Sequence, residues 1–228
     1  MSKNAAMPWF SQEYIEFFKE LAFNNNKEWF DLNRNRYEEY VKVPFKAFVT
    51  ELLLRLRQHD QSLMPDVAQA LFRINRDIRF SKDKTPYKLH CGALIGRFGR
   101  KSLEYPSYYF EFRADGVMIA SGAYFPGKDF IERIRYQIID NNDEFNEILS
   151  DEEFIKYFGS IQGLKNKVIP SVFKEAVKIQ PLVANKEFYC MKDLGPEIIT
   201  SPGLMDLIES YFLAGLPLNR FLQEAWES

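Results

Sequence analysis

The sequence predicts an α+β fold, with an antiparallel or mixed sheet in the middle of the chain packed by N-terminal and C-terminal helices. Three observations predict it. Apolar residues recur at spacings of three and four through the first third, alternate through the middle, and return to helical spacing after Gly127. Hydrophobic residues make up 46% of the 228, including 21 Phe and 12 Tyr, so a sizeable core can form.

The elements follow in order. Ser11 is placed to cap a helix whose Tyr14, Phe17, Phe18 and Leu21 share a face. Asn24-Asn25-Asn26 breaks that pattern and offers a second cap, after which Trp29, Phe30, Asn33, Tyr37 and Tyr40 continue at helical spacing. Pro44 suits the first turn of a third helix carrying Phe45, Phe48, Val49, Leu52, Leu53 and Leu56. Residues 72–81 are expected as a strand, with Phe72, Ile74, Arg76, Ile78 and Phe80 on one face and Arg73, Asn75, Asp77, Arg79 and Ser81 on the other. Residues 89–98 read as another strand, loosened by Gly92 and Gly96. Residues 107–113 and 117–124 flank Asp115-Gly116, a turn signal, and read as a hairpin. Phe130, Ile131, Ile134, Ile138 and Ile139 then form a helical stripe with Arg133 and Arg135 off it. Short helices are expected at 145–149 and 154–158 and a strand at 183–191. Helices at 204–213 and 218–226 close the chain, the second started by Pro217. No repeat or linker interrupts the pattern, so one domain over 1–228 is expected, with 141–151 as the place where a sub-boundary could fall.

The charge balance narrows the function classes. Lys and Arg total 30 against 32 Asp and Glu, a formal net charge of -2. No global basic field draws this chain to nucleic acid, which stays a candidate partner only through a local patch and is not favoured. Cys91 and Cys190 lie far apart without a CxxC, too few for a disulfide framework or, alone, a structural zinc site. A cytoplasmic, reducing compartment is therefore expected. The opening MSKNAAMPWF lacks the apolar core of a signal peptide, and no stretch approaches the ~20 apolar residues of a membrane span, so no membrane partner is expected.

One stretch departs from this even balance. In RINRDIRFSKDKTPYKLHCG, Arg73, Arg76, Arg79, Lys82, Lys84 and Lys88 stand against only Asp77 and Asp83. Arg76 falls on the apolar face of the expected strand, where a guanidinium needs an acidic or ligand partner, a bulge, or an edge to reach water. Pro86 disfavours helix at Thr85, so an exposed loop is expected at 81–88. Guanidinium forks beside flexible ammonium groups suit phosphate or carboxylate, which makes the six cations candidate ligand-binding residues for a small phosphorylated or otherwise anionic molecule. Asp77 and Asp83 could orient those cations, act as a base or help hold a metal; with Tyr87 they are the candidate catalytic residues. Two alternatives remain: nucleic acid on the same patch, and a structural or protein-interaction module whose motif is an internal ion-pair network. HExxH, GxxxxGK[ST], GxGxxG after a strand and GxSxG are all absent, so no reaction, metal or cofactor is named by a motif.

FRINRDIRFSKDKTPYK resembles the signature of an uncharacterised bacterial and fungal family, domain-of-unknown-function family 2461. LAFNNNKEWFDLNRNRYEEYVKVPF is similar to that family's opening motif and SGAYFPGKDFIERIRYQI to its third, where a glycine pair is expected and this chain has Gly122-Ala123. The resemblance covers nearly the whole chain. It implies a single α+β domain and a shared site around Arg76, Asp77, Arg79, Lys82, Asp83, Lys84, Tyr87 and Lys88, and it implies no reaction.

The remaining constellations read as structure. His59 ends a helix. His90 and Cys91 are adjacent on a strand and point to opposite faces, which makes a poor nucleophile–base pair. Gly92, Gly96 and Gly99 with Arg97, Arg100 and Lys101 read as a hairpin turn whose loop could contribute to the same pocket. Tyr108, Phe110 and Phe112 share a strand face and read as core, with Tyr109 and Glu111 opposite. Trp29 and Phe30 read as packing, and Asn25 and Asn26 as helix punctuation.

Overall fold

The computed structural model describes residues 7–64 and 66–227. Four helices open it: α1 (Gln12–Phe23), α2 (Lys27–Leu32), α3 (Arg34–Tyr37) and α4 (Val43–Leu56). Asn26 starts α2 by accepting the Trp29 N–H on its side-chain oxygen at 2.9 Å, while Ser11 stands at the head of α1 without such a bond. Pro44 does not begin a separate helix. It has no N–H for the carbonyl four residues back, the Val43 N–H reaches back five residues to Glu38, and a π turn over Glu38–Lys42 joins α3 to α4.

The sheet is antiparallel, ordered β1 (His90–Ile95), β2 (Ser107–Arg113), β3 (Gly116–Ala123) and β4 (Phe188–Leu194). Arg113 pairs with Gly116, so the β2–β3 hairpin turns on Ala114-Asp115, one residue before the expected signal. Between β3 and β4 run α5 (Lys128–Asp140), α6 (Asn142–Ser150), α7 (Glu152–Phe158) and α8 (Lys174–Ile179), and α9 (Leu204–Glu227) closes the chain. Alternation sends Ala93, Ile95, Phe110, Phe112, Ile119 and Phe188 to the inner face, where each is fully buried. Helices supply the facing rings. Phe48 of α4 lies 5.9 and 5.4 Å from Phe110 and Phe112, and Phe212 of α9 lies 4.8 Å from Tyr108. Such pairs add about 0.5–1.5 kcal/mol each beyond the area they bury. No helix among the described residues is long and apolar enough to cross a membrane.

Four expectations are corrected. Residues 72–81 are not a strand: isolated bridges join Leu71 to Ala93 and Asn75 to Tyr87, four residues apart on one segment and six on the other. That mismatch bulges the ladder, and beyond Arg76 the chain leaves the sheet, so that Phe80 is 96% exposed. The last strand starts at Phe188, because Pro181 winds Pro181–Ala184 into a 3-10 turn. Residues 204–227 form one helix with Pro217 inside it; buried Phe212, Leu218, Phe221 and Leu222 on both sides hold it together despite the missing donor. Arg135 is buried, not off the α5 stripe, because its Nε and Nη2 donate to the carbonyls of Val183 and Asn185 at 2.9 and 3.1 Å.

Candidate functional site

The basic segment divides into two halves. From Arg76 to Lys84 all the cations except Lys82 are taken up locally. Arg76 Nη1 donates to the Asp83 carboxylate, to Thr85 Oγ1 and, at 3.2 Å, to the Thr85 carbonyl. Arg79 forks onto Asp77 at 2.7 and 3.0 Å. Lys84 Nζ donates to the Ile78 carbonyl at 2.9 Å, and Lys82 is exposed. Asp83 also caps the loop, accepting the Thr85 N–H at 2.9 Å. Hydrogen bonds hold both carboxyls down to about 2: from the Arg79 guanidinium at Asp77, and from the Thr85 N–H and then Arg76 at Asp83. Carboxylates so far below neutral are weak proton acceptors, which bears directly on their candidacy as bases.

Arg73 and Lys88 point elsewhere. They line a cleft of about 970 Å³ between the α2–α4 helices and the segments flanking β1. Its floor is apolar: Phe30, Tyr37, Phe45, Ile74, Tyr87 and Cys91. Phe30 and Tyr87 stack with centroids 4.0 Å apart, and Tyr87 is buried. Around the floor stand Arg34, Lys42, Arg73, Lys88, Arg100 and Lys101, against Glu38 and Asp77. Arg34 pairs with Asp31, Lys42 reaches Glu38 at 2.8 Å across the π turn, and Arg100 donates to the Ala68 carbonyl. Among the described residues, no hydrogen bond or ion pair engages the side chains of Arg73, Lys88 or Lys101.

Lys88 is the most telling of these. Its amine is half-buried and lies 5.0 Å over the Phe72 ring. Burial and then the neighbouring Arg73 charge push its pKa below the usual lysine value. Exposed Arg73 and half-buried Lys88 thus share one wall with no salt bridge to the nearby Asp77 or Glu111, an arrangement that an incoming anion would relieve.

The family described as Conserved hypothetical protein (DUF2461) matches residues 13–221. The chain belongs to this family. The DUF2461 match spans the basic segment, the cleft and the whole sheet. No curated protein matches the chain.

Several residues of this DUF2461 chain were legible only in part. Asn25, read as punctuation, clamps Tyr87: its side-chain oxygen accepts the Tyr87 N–H at 3.0 Å and its amide donates to the Tyr87 carbonyl at 2.9 Å. Arg34, Lys42, Arg100 and Lys101 join the cleft from outside the motif. Gly99 brings the last two in. Its φ is +62° and a β-carbon there would sit 2.8 Å from the Gln69 carbonyl oxygen, so only glycine lets this turn close against the 66–70 segment. His90 and Cys91 do point apart. Cys91 faces the floor with burial pushing its thiol up to about 12, and His90 faces outward, 3.4 Å from Glu111. Such a thiol is a poor nucleophile at neutral pH. Among the described residues no group of three or more His, Cys, Asp or Glu side chains could hold a metal ion.

Proposed function

We propose that this protein binds a small anionic ligand with an apolar or aromatic body in the cleft between α2–α4 and β1. The observation that carries the reading is a half-buried Lys88 amine beside the exposed Arg73 guanidinium, neither held by a hydrogen bond or ion pair among the described residues, above a floor of stacked rings. Arg73 would fix a phosphate or carboxylate, with Lys88 and Lys101 as point charges. The cleft is large enough for more than a bare anion. Arg76, Arg79, Lys84 and Asp83 support it from behind by shaping the loop, Asp77 stands at the cleft held by Arg79, Lys82 adds an exposed charge on the loop, and Tyr87 is part of the floor. The cytoplasm is the proposed compartment, supported by two free, buried thiols.

A second reading has its own observation. Phe80 is exposed at the loop tip with the Arg79 guanidinium 5.9 Å from its ring, and Lys82 and Lys84 nearby in sequence, a combination suited to stacking on a base. The two readings part in one experiment. Thermal-shift and calorimetric titration against inorganic phosphate, nucleotides, sugar phosphates and aromatic carboxylates is expected to show saturable binding that Phe80→Ala leaves intact. Affinity only for oligonucleotides, lost in Phe80→Ala, transfers the function to the loop tip. No binding to either class at millimolar ligand removes both.

A further inference from the structure

We infer that the outer face of the sheet is a second ligand site, shaped for an uncharged, ring-bearing molecule with one hydrogen-bonding group. The inner face is covered by α4 and α9; on the outer face Leu94, Tyr109, Met118, Ala120, Tyr189 and Met191 line a concavity of about 370 Å³. Leu103, Tyr124 and Phe125 form its rim, at 45, 51 and 56% exposure. The volume falls within the roughly 300–1,000 Å³ of small-molecule pockets, and the lining of rings, thioethers and small residues is their usual composition. A protein partner would instead need a broad area of ~800 Å² per side with a polar rim.

The charge distribution selects the ligand. Among the described residues no Lys, Arg, His, Asp or Glu lines the concavity. Charges near this face are already engaged: at one end Tyr109 Oη donates to Glu111 at 2.7 Å, Arg113 reaches Glu111 at 3.2 Å and Asp193 at 2.7 Å, and His90 lies 3.4 Å from Glu111, while at the other Glu187, whose charge acts on Tyr189, accepts the Leu164 N–H at 2.9 Å. An ion moved onto this wall would lose hydration with no counter-charge to replace it. At the other end the Tyr124 and Tyr189 rings meet edge-on at 4.9 Å, and neither hydroxyl has a hydrogen-bond partner among the described residues. They are free to bind one polar group of the ligand. Phe72 lines both this concavity and the basic cleft, a shared wall between a neutral site and a cationic one.

The probe is N-phenyl-1-naphthylamine, an uncharged fluorophore with two ring systems and one N–H. The intact protein is expected to bind it saturably with enhanced emission. Met118→Arg, which places a charge on the floor, and the rim double variant Tyr124→Ala/Phe125→Ala should each weaken binding at least about tenfold. Lys101→Ala, at the basic cleft and absent from this lining, should leave it unchanged, which separates this site from the basic cleft. The rim residues are half-exposed, so that variant stays folded even if Met118→Arg does not. Non-saturable emission, or affinity indifferent to the rim variant, overturns the proposal. So does preferential binding of tetramethylammonium, or a dimer in sedimentation velocity whose dissociation by the rim variant shows that a second copy covers this face.

Discussion

Arg73 and Arg76 stand three residues apart and face opposite fates. Arg76 holds Asp83 and Thr85 and closes the 76–85 loop; Arg73 faces the cleft without a salt bridge, Asp77 there being forked by Arg79. Arg76→Ala is expected to lower Tm by about 2–4 °C, while Arg73→Ala leaves it within 1 °C or so, as read by thermal denaturation. The loop's acids add a pH signature. Asp77 and Asp83 sit at about 2 against an ordinary 3.8, so their contribution to stability is complete above about pH 4 and is lost as pH falls toward 2. Asp83→Asn should flatten that acid limb in urea melts run from pH 5 to pH 2.5; an unchanged limb places the acid sensitivity elsewhere. That Arg76 needs an edge, a bulge or a partner was legible from its place in an apolar alternation, even though the strand read from that alternation does not form. Which acid it takes was not, since the bulge that ends the strand depends on pairing with residues 87–93. Arg135 was illegible for a related reason: its carbonyl partners lie 48 and 50 residues away.

At the scale of elements, period and punctuation carried most of the fold. The helical stripe of α4, the alternation of β2 and β3 and the Asn26 cap all follow from spacing and side-chain chemistry. The errors fall where tertiary packing overrides a local rule, as when Pro217 stays inside α9 because buried rings hold both sides. Gly122 shows the reverse, a local rule that packing enforces. Its φ is +121° and a β-carbon would overlap the Phe188 carbonyl oxygen, whereas neighbouring Ala123 is buried without a positive φ. The β3–β4 pairing thus needs the first glycine of the expected pair and not the second. Gly122→Ala should lower Tm by about 4 °C or more, combining strain of about 1–3 kcal/mol with the displaced backbone; a change under about 1 °C would show that β4 can shift without cost.

Across the whole molecule, α9 packs against β3, α4, α5, α6 and α7, linking elements on both sides of residues 141–151. We propose on that basis that the chain folds as one domain. Calorimetry should then show a single transition whose van't Hoff and calorimetric enthalpies agree; two resolved transitions would restore the sub-boundary. The cleft was half legible at this scale. The motif announced the cations and the glycine run offered Arg100 and Lys101 to the same pocket, but only the fold sorts the motif's cations into those the loop holds and those that face Phe30 and Tyr87, and only the fold adds Arg34 and Lys42. The most direct test is calorimetric titration of the best anion from the panel into two double variants, Arg73→Ala/Lys88→Ala and Arg79→Ala/Lys84→Ala. The division of the motif predicts a loss of about 1–3 kcal/mol per side chain in the first and near-native affinity in the second. Equal losses in both, or a loss confined to the second, would contradict it.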